Sequence, residues 1–187
     1  MHFQLHRILR HTGCSLWLGL SLALARQSIG ELNSSRRDIH FSALYTRLED
    51  IIRYVSWSDE TTDTICVGLI GSEKKTEKLL EAQKADNSST VQLISISDTT
   101  DITQCQVVVF LGDTPNGQRI LQRLRKKPVL TIGVDDDFAE SGGIIEITKV
   151  TNGAMRFECN LRMLQESGLE IHPHFIQMAD SVHETVQ

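Results

Sequence analysis

The residues of this 187-residue chain whose types could do chemistry are its cysteines, its histidines and a run of three aspartates. Beyond Cys14 the thiols are Cys66, Cys105 and Cys159, which allow three single pairings. Cys66 lies near the start of one apolar strand-like run and Cys105 immediately before another. If those strands are parallel neighbours, their starts lie side by side, near the ~5.5–6 Å Cα spacing a disulfide requires. A Cys66–Cys105 bridge is therefore expected; closing 39 residues, it is worth about 4 kcal/mol in the chain-entropy model. Cys159 alternates with Phe157 on an apolar face and reads as a small hydrophobe.

The other chemical candidates fall short of a site. Gly68-Leu-Ile-Gly71-Ser72 ends a strand before a helix and superficially suggests a phosphate loop, yet neither GxGxxG nor GxxxxGK[ST] occurs, and a glycine-permitted turn is the simpler reading. His172-Pro173-His174 offers two imidazoles without a third ligand cluster nearby. Asp135-Asp136-Asp137 lacks the glycine and the distal glutamate of a calcium loop and reads as a cap. There is no GxSxG, His40, His172, His174 and His183 lie towards the two ends of the chain, and no paired carboxylates stand out. No catalytic residue, metal or cofactor is expected.

The elements that would position these residues alternate. Phe41, Leu44, Tyr45, Leu48, Ile51, Ile52 and Val55 recur at helical spacing against Arg47, Glu49, Asp50 and Arg53, giving an amphipathic helix of about 18 residues from Asp38, closed by Trp57. The stripe Phe41, Leu44, Leu48, Ile52 and Val55, with Trp57, is the first candidate for an exposed partner or dimer surface; core packing is the competing reading. Strands are expected at Thr64–Ile70, Val91–Ile96, Gln106–Leu111 and after Pro128, with helices at Glu73–Lys84 and Pro115–Lys127. Asn152-Gly153 between two alternating runs signals a hairpin with positive φ at both residues. A short helix, Leu161–Ser167, ends at Gly168, and a last helix starts at Pro173 and carries Phe175, Ile176, Met178, Ala179 and Val182. Phe157, Leu161 and Met178 are expected in the core. The fold class is α/β: a three-layer sandwich whose mostly parallel sheet gains a C-terminal antiparallel hairpin.

The chain begins with Arg7 and Arg10, an apolar run from Thr12 to Ala25, and Ala23-Leu24-Ala25, the pattern of a signal peptide cleaved after Ala25. An uncleaved anchor is the alternative, although the run is short for ~30 Å of hydrocarbon. Removing residues 1–25 leaves 17 Lys+Arg against 24 Asp+Glu, a net charge of −7, which supports neither nucleic acid nor anionic lipid as a partner. The expected organisation is signal peptide 1–25, linker 26–38, a single domain over 39–182 and a tail over 183–187. The mature protein would be soluble, in an oxidising compartment where thiols pair.

The motifs Tyr54-Val-Ser-Trp57, Cys66-Val-Gly-Leu69, Gln104-Cys105-Gln106-Val-Val-Val-Phe110, Phe138 with Gly142-Gly143-Ile144-Ile145, Phe157-Glu-Cys-Asn160-Leu161 and Ser167-Gly168-Leu169 resemble, in order and spacing, the YfiR family. Gly142, Gly143, Phe157, Asn160, Leu161 and Gly168 form the most specific part. The resemblance implies a periplasmic α/β protein, commonly a homodimer, that binds the periplasmic sensor domain of an inner-membrane diguanylate cyclase and holds it inactive. It also implies sequestration by an OmpA-like outer-membrane lipoprotein, which releases cyclic di-GMP synthesis and biofilm formation. The resemblance independently supports pairing Cys66 with Cys105. The rival expectation is a periplasmic small-molecule-binding module that uses the crevice at the strand C-termini near Gly71 and Gly112 and acts with a membrane sensor kinase.

Overall fold

The computed structural model describes residues 39–57, 64–86, 90–96, 101–112 and 114–184. The expected signal peptide, 1–25, and linker, 26–38, lie outside the described residues. In chain order the elements are α1 (Phe41–Arg53), β1 (Val55–Ser56), β2 (Ile65–Ile70), α2 (Glu73–Lys84), β3 (Val91–Ser95), a 3₁₀ turn (Asp101–Gln104), β4 (Val107–Phe110), α3 (Gly117–Leu124), β5 (Leu130–Gly133), β6 (Ile145–Val150), β7 (Met155–Asn160), α4 (Leu161–Ser167), β8 (Glu170–Ile171), α5 (Pro173–Gln177) and β9 (Ser181–His183).

Strand β4 shows why the layers form. Val107 and Val109 enter one apolar cluster, while Val108 and Phe110 enter a second on the opposite face. A strand apolar at every position needs cover on both sides. Helices α1, α2, α4 and α5 supply it through the first cluster, with Leu48, Leu79, Leu164 and Phe175 among its members. Helix α3 supplies it through the second, with Ile120, Leu121 and Leu124. The seven-stranded sheet between them has the order β3-β2-β4-β5-β6-β7-β9. It is parallel from β3 to β6, antiparallel at β6–β7, and parallel again at β7–β9. This is the expected three-layer α/β architecture with its antiparallel hairpin.

Four local expectations are corrected. Helix α1 has 13 residues, because Val55 and Ser56 leave it to pair with Ile171 and Glu170 as a small antiparallel β1–β8 sheet. Helix α3 stops at Leu124; Arg125 is extended and Lys126 takes φ +62°, and Lys127 precedes Pro128, which disfavours helical backbone there. The hairpin closes through Thr151–Ala154, with Thr151 N–H donating to Ala154 O at 2.9 Å, so Asn152 and Gly153 are not among the positive-φ residues. The longer loop does not require the mirror-image turn. Finally, α5 ends at Gln177, and Asp180 N–H donates to Phe157 O at 2.8 Å. That bond turns Ser181–His183 onto the edge of β7, leaving Met178 and Val182 exposed rather than in a helix's core face. Strand β9 reaches His183, one residue into the segment expected as tail.

Candidate functional site

Cys66 sits near the start of β2, and Cys105 just before β4, which is its parallel neighbour. Gln106 holds the ends in register: its backbone N–H donates to Cys66 O at 3.1 Å and its side-chain oxygen accepts from Cys66 N at 3.0 Å. Gly68 leaves the space, since a Cβ there would lie 3.1 Å from Cys105 Sγ and 2.1 Å from Ile96 Cδ1. The two sulfurs are 3.1 Å apart as free thiols, so about 1 Å of closure would bring them to disulfide bonding distance. Cys66 is half-buried and Cys105 buried, giving a reagent one side of approach. Cys159 is fully buried, and burial pushes its thiol up to about 11, which leaves it inert.

The helical stripe is not a free surface. Leu44 and Leu48 are fully buried, Ile52 and Val55 nearly so, and Phe41 and Trp57 pack against the same core cluster. The expectation of an exposed contact on these residues is corrected, because α2, the sheet and the C-terminal elements cover the stripe inside the chain. The other side of α1 instead borders a groove of about 520 Å³ facing the β6–β7 hairpin and α5. Tyr54, Met155, Phe157, Phe175 and Met178 line it, and Arg47, Asp50 and Arg53 complete its wall. Its buried base is an aromatic stack: the Phe157 and Phe175 rings lie 4.5 Å apart at 22°, with Tyr54 5.2 Å from Phe175. Arg47 pairs with Asp50 at 2.7 Å, leaving Arg53 as an exposed cation beside them. Met178, 45% exposed, is one of two large exposed apolar side chains among the described residues. Sequence reasoning missed this groove because it placed Met178 in a core helix.

The signature residues build one rigid corner. Gly143 lies against the Phe138 ring, and a Cβ there would come within 2.0 Å of it; at Gly133 the approach would be 2.2 Å. Gly142 takes φ +105°, open to glycine. The buried Glu146 accepts from Ala139 N–H at 3.1 Å, and Asn160 donates to Ala139 O at 2.7 Å. Asn160 Oδ1 also caps α4 by accepting from Met163 N–H at 3.0 Å, and Gly168 ends that helix at φ +74°. Phe157 is in the core as expected; Leu161 is partly buried. Glu146 was missed: on a strand, a lone glutamate reads as solvent-facing.

The remaining candidates resolve into structure. His172 Nδ1 accepts from His174 N–H at 3.2 Å and caps α5, and among the described residues no cluster of three or more His, Cys, Asp or Glu could hold a metal ion. The crevice expected at Gly71 and Gly112 is closed by backbone, with Ser72 N–H donating to Gly112 O at 3.0 Å and a Cβ on Gly71 only 2.3 Å from that oxygen. An open pocket of about 390 Å³ lies beside it, between Phe110, Thr114, Gln118, Asp135 and Phe138. Among the described residues, no helix is long and apolar enough to cross a membrane.

On the surface, Arg125 Nη2 and Arg162 Nε donate to Glu166 Oε1 at 3.0 and 3.1 Å. These bonds, Arg125 first, hold the Glu166 carboxyl down to about 2. A depressed carboxylate stabilises the fold above its unfolded value, about 4.3, and loses that contribution as pH falls through the folded value. Glu166→Gln is therefore expected to melt below the parent protein at pH 7, with the gap closing between pH 4 and 2. A gap that does not narrow in that window would count against the bridge.

No curated protein matches the chain. Nine chains of solved structures match this one, two of them as follows. One is the ABC domain in complex with L-Trp from Streptococcus pneumonia, 14% identical with a TM-score of 0.47, aligning over 71% of this chain and 58% of that one. The other is a conserved domain protein from Vibrio cholerae O1 biovar El Tor, 12% identical with a TM-score of 0.49, aligning over 76% of this chain and 60% of that one. The chain thus spans about three fifths of the length of the structures it matches. A family profile, YfiR/HmsC-like, matches residues 46–180, a span that runs from within α1 through the glycine-framed corner to the start of the C-terminal edge strand; the chain belongs to the YfiR/HmsC-like family.

Proposed function

We propose that the protein is a periplasmic regulator of cyclic di-GMP signalling that binds the periplasmic domain of an inner-membrane diguanylate cyclase and holds it inactive. Family membership supports the regulatory role, and the groove of α1, the hairpin and α5 supports binding rather than turnover, since it combines an aromatic base, exposed Met178 and one exposed guanidinium at Arg53. Apolar and aromatic anchors ringed by charge are the composition of a protein-binding hot spot. The regulator acts stoichiometrically. It stabilises the inactive state of its receptor by the difference between its affinities for the two states, and a few kcal/mol suffices. Competition by an OmpA-like outer-membrane lipoprotein for the same protein would relieve the inhibition, and a homodimer would present the groove twice.

Met178→Glu tests this reading, because Met178 is exposed and its replacement leaves the core untouched. Binding to the soluble cyclase domain is expected to weaken by roughly tenfold or more, with an unchanged melting temperature and a rise in cellular cyclic di-GMP. Undiminished binding would remove the groove from the interface. A second reading has its own observation: Thr114 Oγ1, beside the 390 Å³ pocket, is buried with no hydrogen-bond partner among the described residues. A small-molecule sensor working with a membrane kinase would use that pocket, and strong thermal stabilisation by one small solute would favour it.

A further inference from the structure

The chain's net charge of −5 argues, as an average, against an anionic partner. The fold does not average it. From Thr114 to Val134 the sequence holds five cations and no acid: Arg119, Arg123, Arg125, Lys126 and Lys127. Helix α3 turns Ile120, Leu121 and Leu124 into the core, so Arg119 and Arg123, four residues apart, stand together on its exposed side, about 6 Å apart along the axis. Lys126, exposed at φ +62°, continues the ridge past the helix end. The Glu166 bridge draws Arg162 of α4 into the same surface beside Arg125. Arg119, Arg123 and Lys126 make no ion pair among the described residues. Of the acids on this side, Glu166 is already bridged twice, and Asp135 and Asp136 share the pocket at the other end of α3 with Asn116 and Gln118.

We propose that this ridge docks the protein on the anionic headgroups of a phospholipid bilayer. The chemistry favours a lipid surface over the alternatives. The buried core of a protein interface is typically more apolar than its rim, with aromatic residues and Met enriched, whereas the exposed side chains of α3 are Gln118, Arg119, Gln122 and Arg123, and the large exposed apolar side chains, Met178 and Val182, belong to other elements. Single-stranded nucleic acid would need aromatic platforms interleaved with the cations, and α3 has none. Long, separately exposed cations suit a mobile field of headgroups, each contributing independently. The protein's excess of acids is no obstacle, because charges further than about 8 Å are screened in physiological salt. Docking here would concentrate the regulator in the plane where a membrane receptor displays its periplasmic domain. That benefit rests on the proposed function; the lipid contact itself does not.

The test is co-sedimentation of the protein, purified in its processed form from cells expressing the whole chain, with vesicles. Neutral phosphatidylcholine vesicles are compared with vesicles containing about one third phosphatidylglycerol. Binding is expected only to the anionic vesicles and is expected to vanish in about 0.5 M salt. At about fivefold per cation, Arg119→Glu/Arg123→Glu should weaken it by roughly 25-fold or more, while Lys74→Glu/Lys84→Glu, the same charge change on α2, should leave most of it. Equal loss in both variants, equal binding to neutral vesicles, or no binding at low salt would overturn the proposal. So would the absence of vesicle binding together with loss of cyclase-domain binding in the α3 variant, which would assign the ridge to an acidic protein. Cyclase-domain binding, measured separately with Met178→Glu, can fail while vesicle binding stands, and the reverse.

Discussion

Joining Cys66 to Cys105 is expected to raise the stability of the protein by about 4 kcal/mol, read as a rise of roughly 8–16 °C in melting temperature. The two sulfurs already lie 3.1 Å apart and the bridge would close 39 residues. The gain arises in the unfolded chain, which loses the entropy of a 39-residue loop, while the folded state has little to rearrange. Strand register fixes the distance: Val67 pairs with Val107, and Gln106 bonds to Cys66 through both its backbone and its side chain. The measurement is a pair of melting curves, with and without reductant, on the parent protein and on Cys66→Ser/Cys105→Ser. Reductant should lower the parent to the level of the double variant and leave the variant unmoved. Cys159, buried and held near 11, should not contribute under native conditions. If both thiols remain alkylatable in protein isolated from an oxidising compartment, the bridge does not form there. A regulatory role makes a further demand: loosening the sheet by reduction should raise cyclic di-GMP, and an unchanged level in the double-serine strain would reduce the bridge to a structural staple.

The sheet was legible in the sequence for a physical reason. A strand buried on both faces must be apolar at successive positions, as Val107–Phe110 is, and few other elements have that composition. The end of α4 was legible too, because Gly168 acts through its own left-handed backbone and needs no distant partner to be recognised, whereas the side-chain cap that Asn160 provides at Met163 N–H was not read from the sequence. The α1 stripe shows the limit. Amphipathicity says that Leu44, Leu48 and Ile52 must be covered, not by what, and here the cover is intramolecular. Strand β9 shows another: Ser181-Val182-His183 has no pattern of its own, and it lies against β7 through contacts between distant residues. Arg156 donates to Asp180 at 2.9 Å, and His183 Nε2 sits 2.7 Å from Glu158 Oε2. The groove was invisible for the same reason, since its wall is assembled from the end of α1, a hairpin and a helix that stops five residues earlier than the apolar pattern suggests.

Asn160→Ala is expected to cost about 2–4 kcal/mol, because one side chain serves two backbones. Its Oδ1 caps α4 at Met163 N–H, a bond whose loss typically costs about 1 kcal/mol. Its Nδ2 satisfies Ala139 O in the corner beneath Phe138, and a carbonyl stranded in a buried site costs a further 1–3 kcal/mol or so. Asn160→Asp separates the two. The carboxylate keeps the cap and favours the helix N-terminus, but it cannot donate to Ala139 O. It also introduces a second acid beside the residue whose N–H already bonds the buried Glu146. If the corner matters more than the cap, Asp is no better than Ala at neutral pH, and its deficit shrinks as acid protonates the new carboxyl and restores a donor. If the cap dominates, Asp melts close to the parent at pH 7. Denaturant unfolding of both variants across pH 4–8 decides between these outcomes, and a loss below about 1 kcal/mol for Ala would show that solvent replaces both bonds. The corner position is also what lets this residue reach beyond stability: Asn160 ends β7, the strand that carries Met155 and Phe157 to the groove. Under the proposed function, a variant that slackens the corner yet stays folded is therefore expected to weaken cyclase-domain binding without altering any groove side chain.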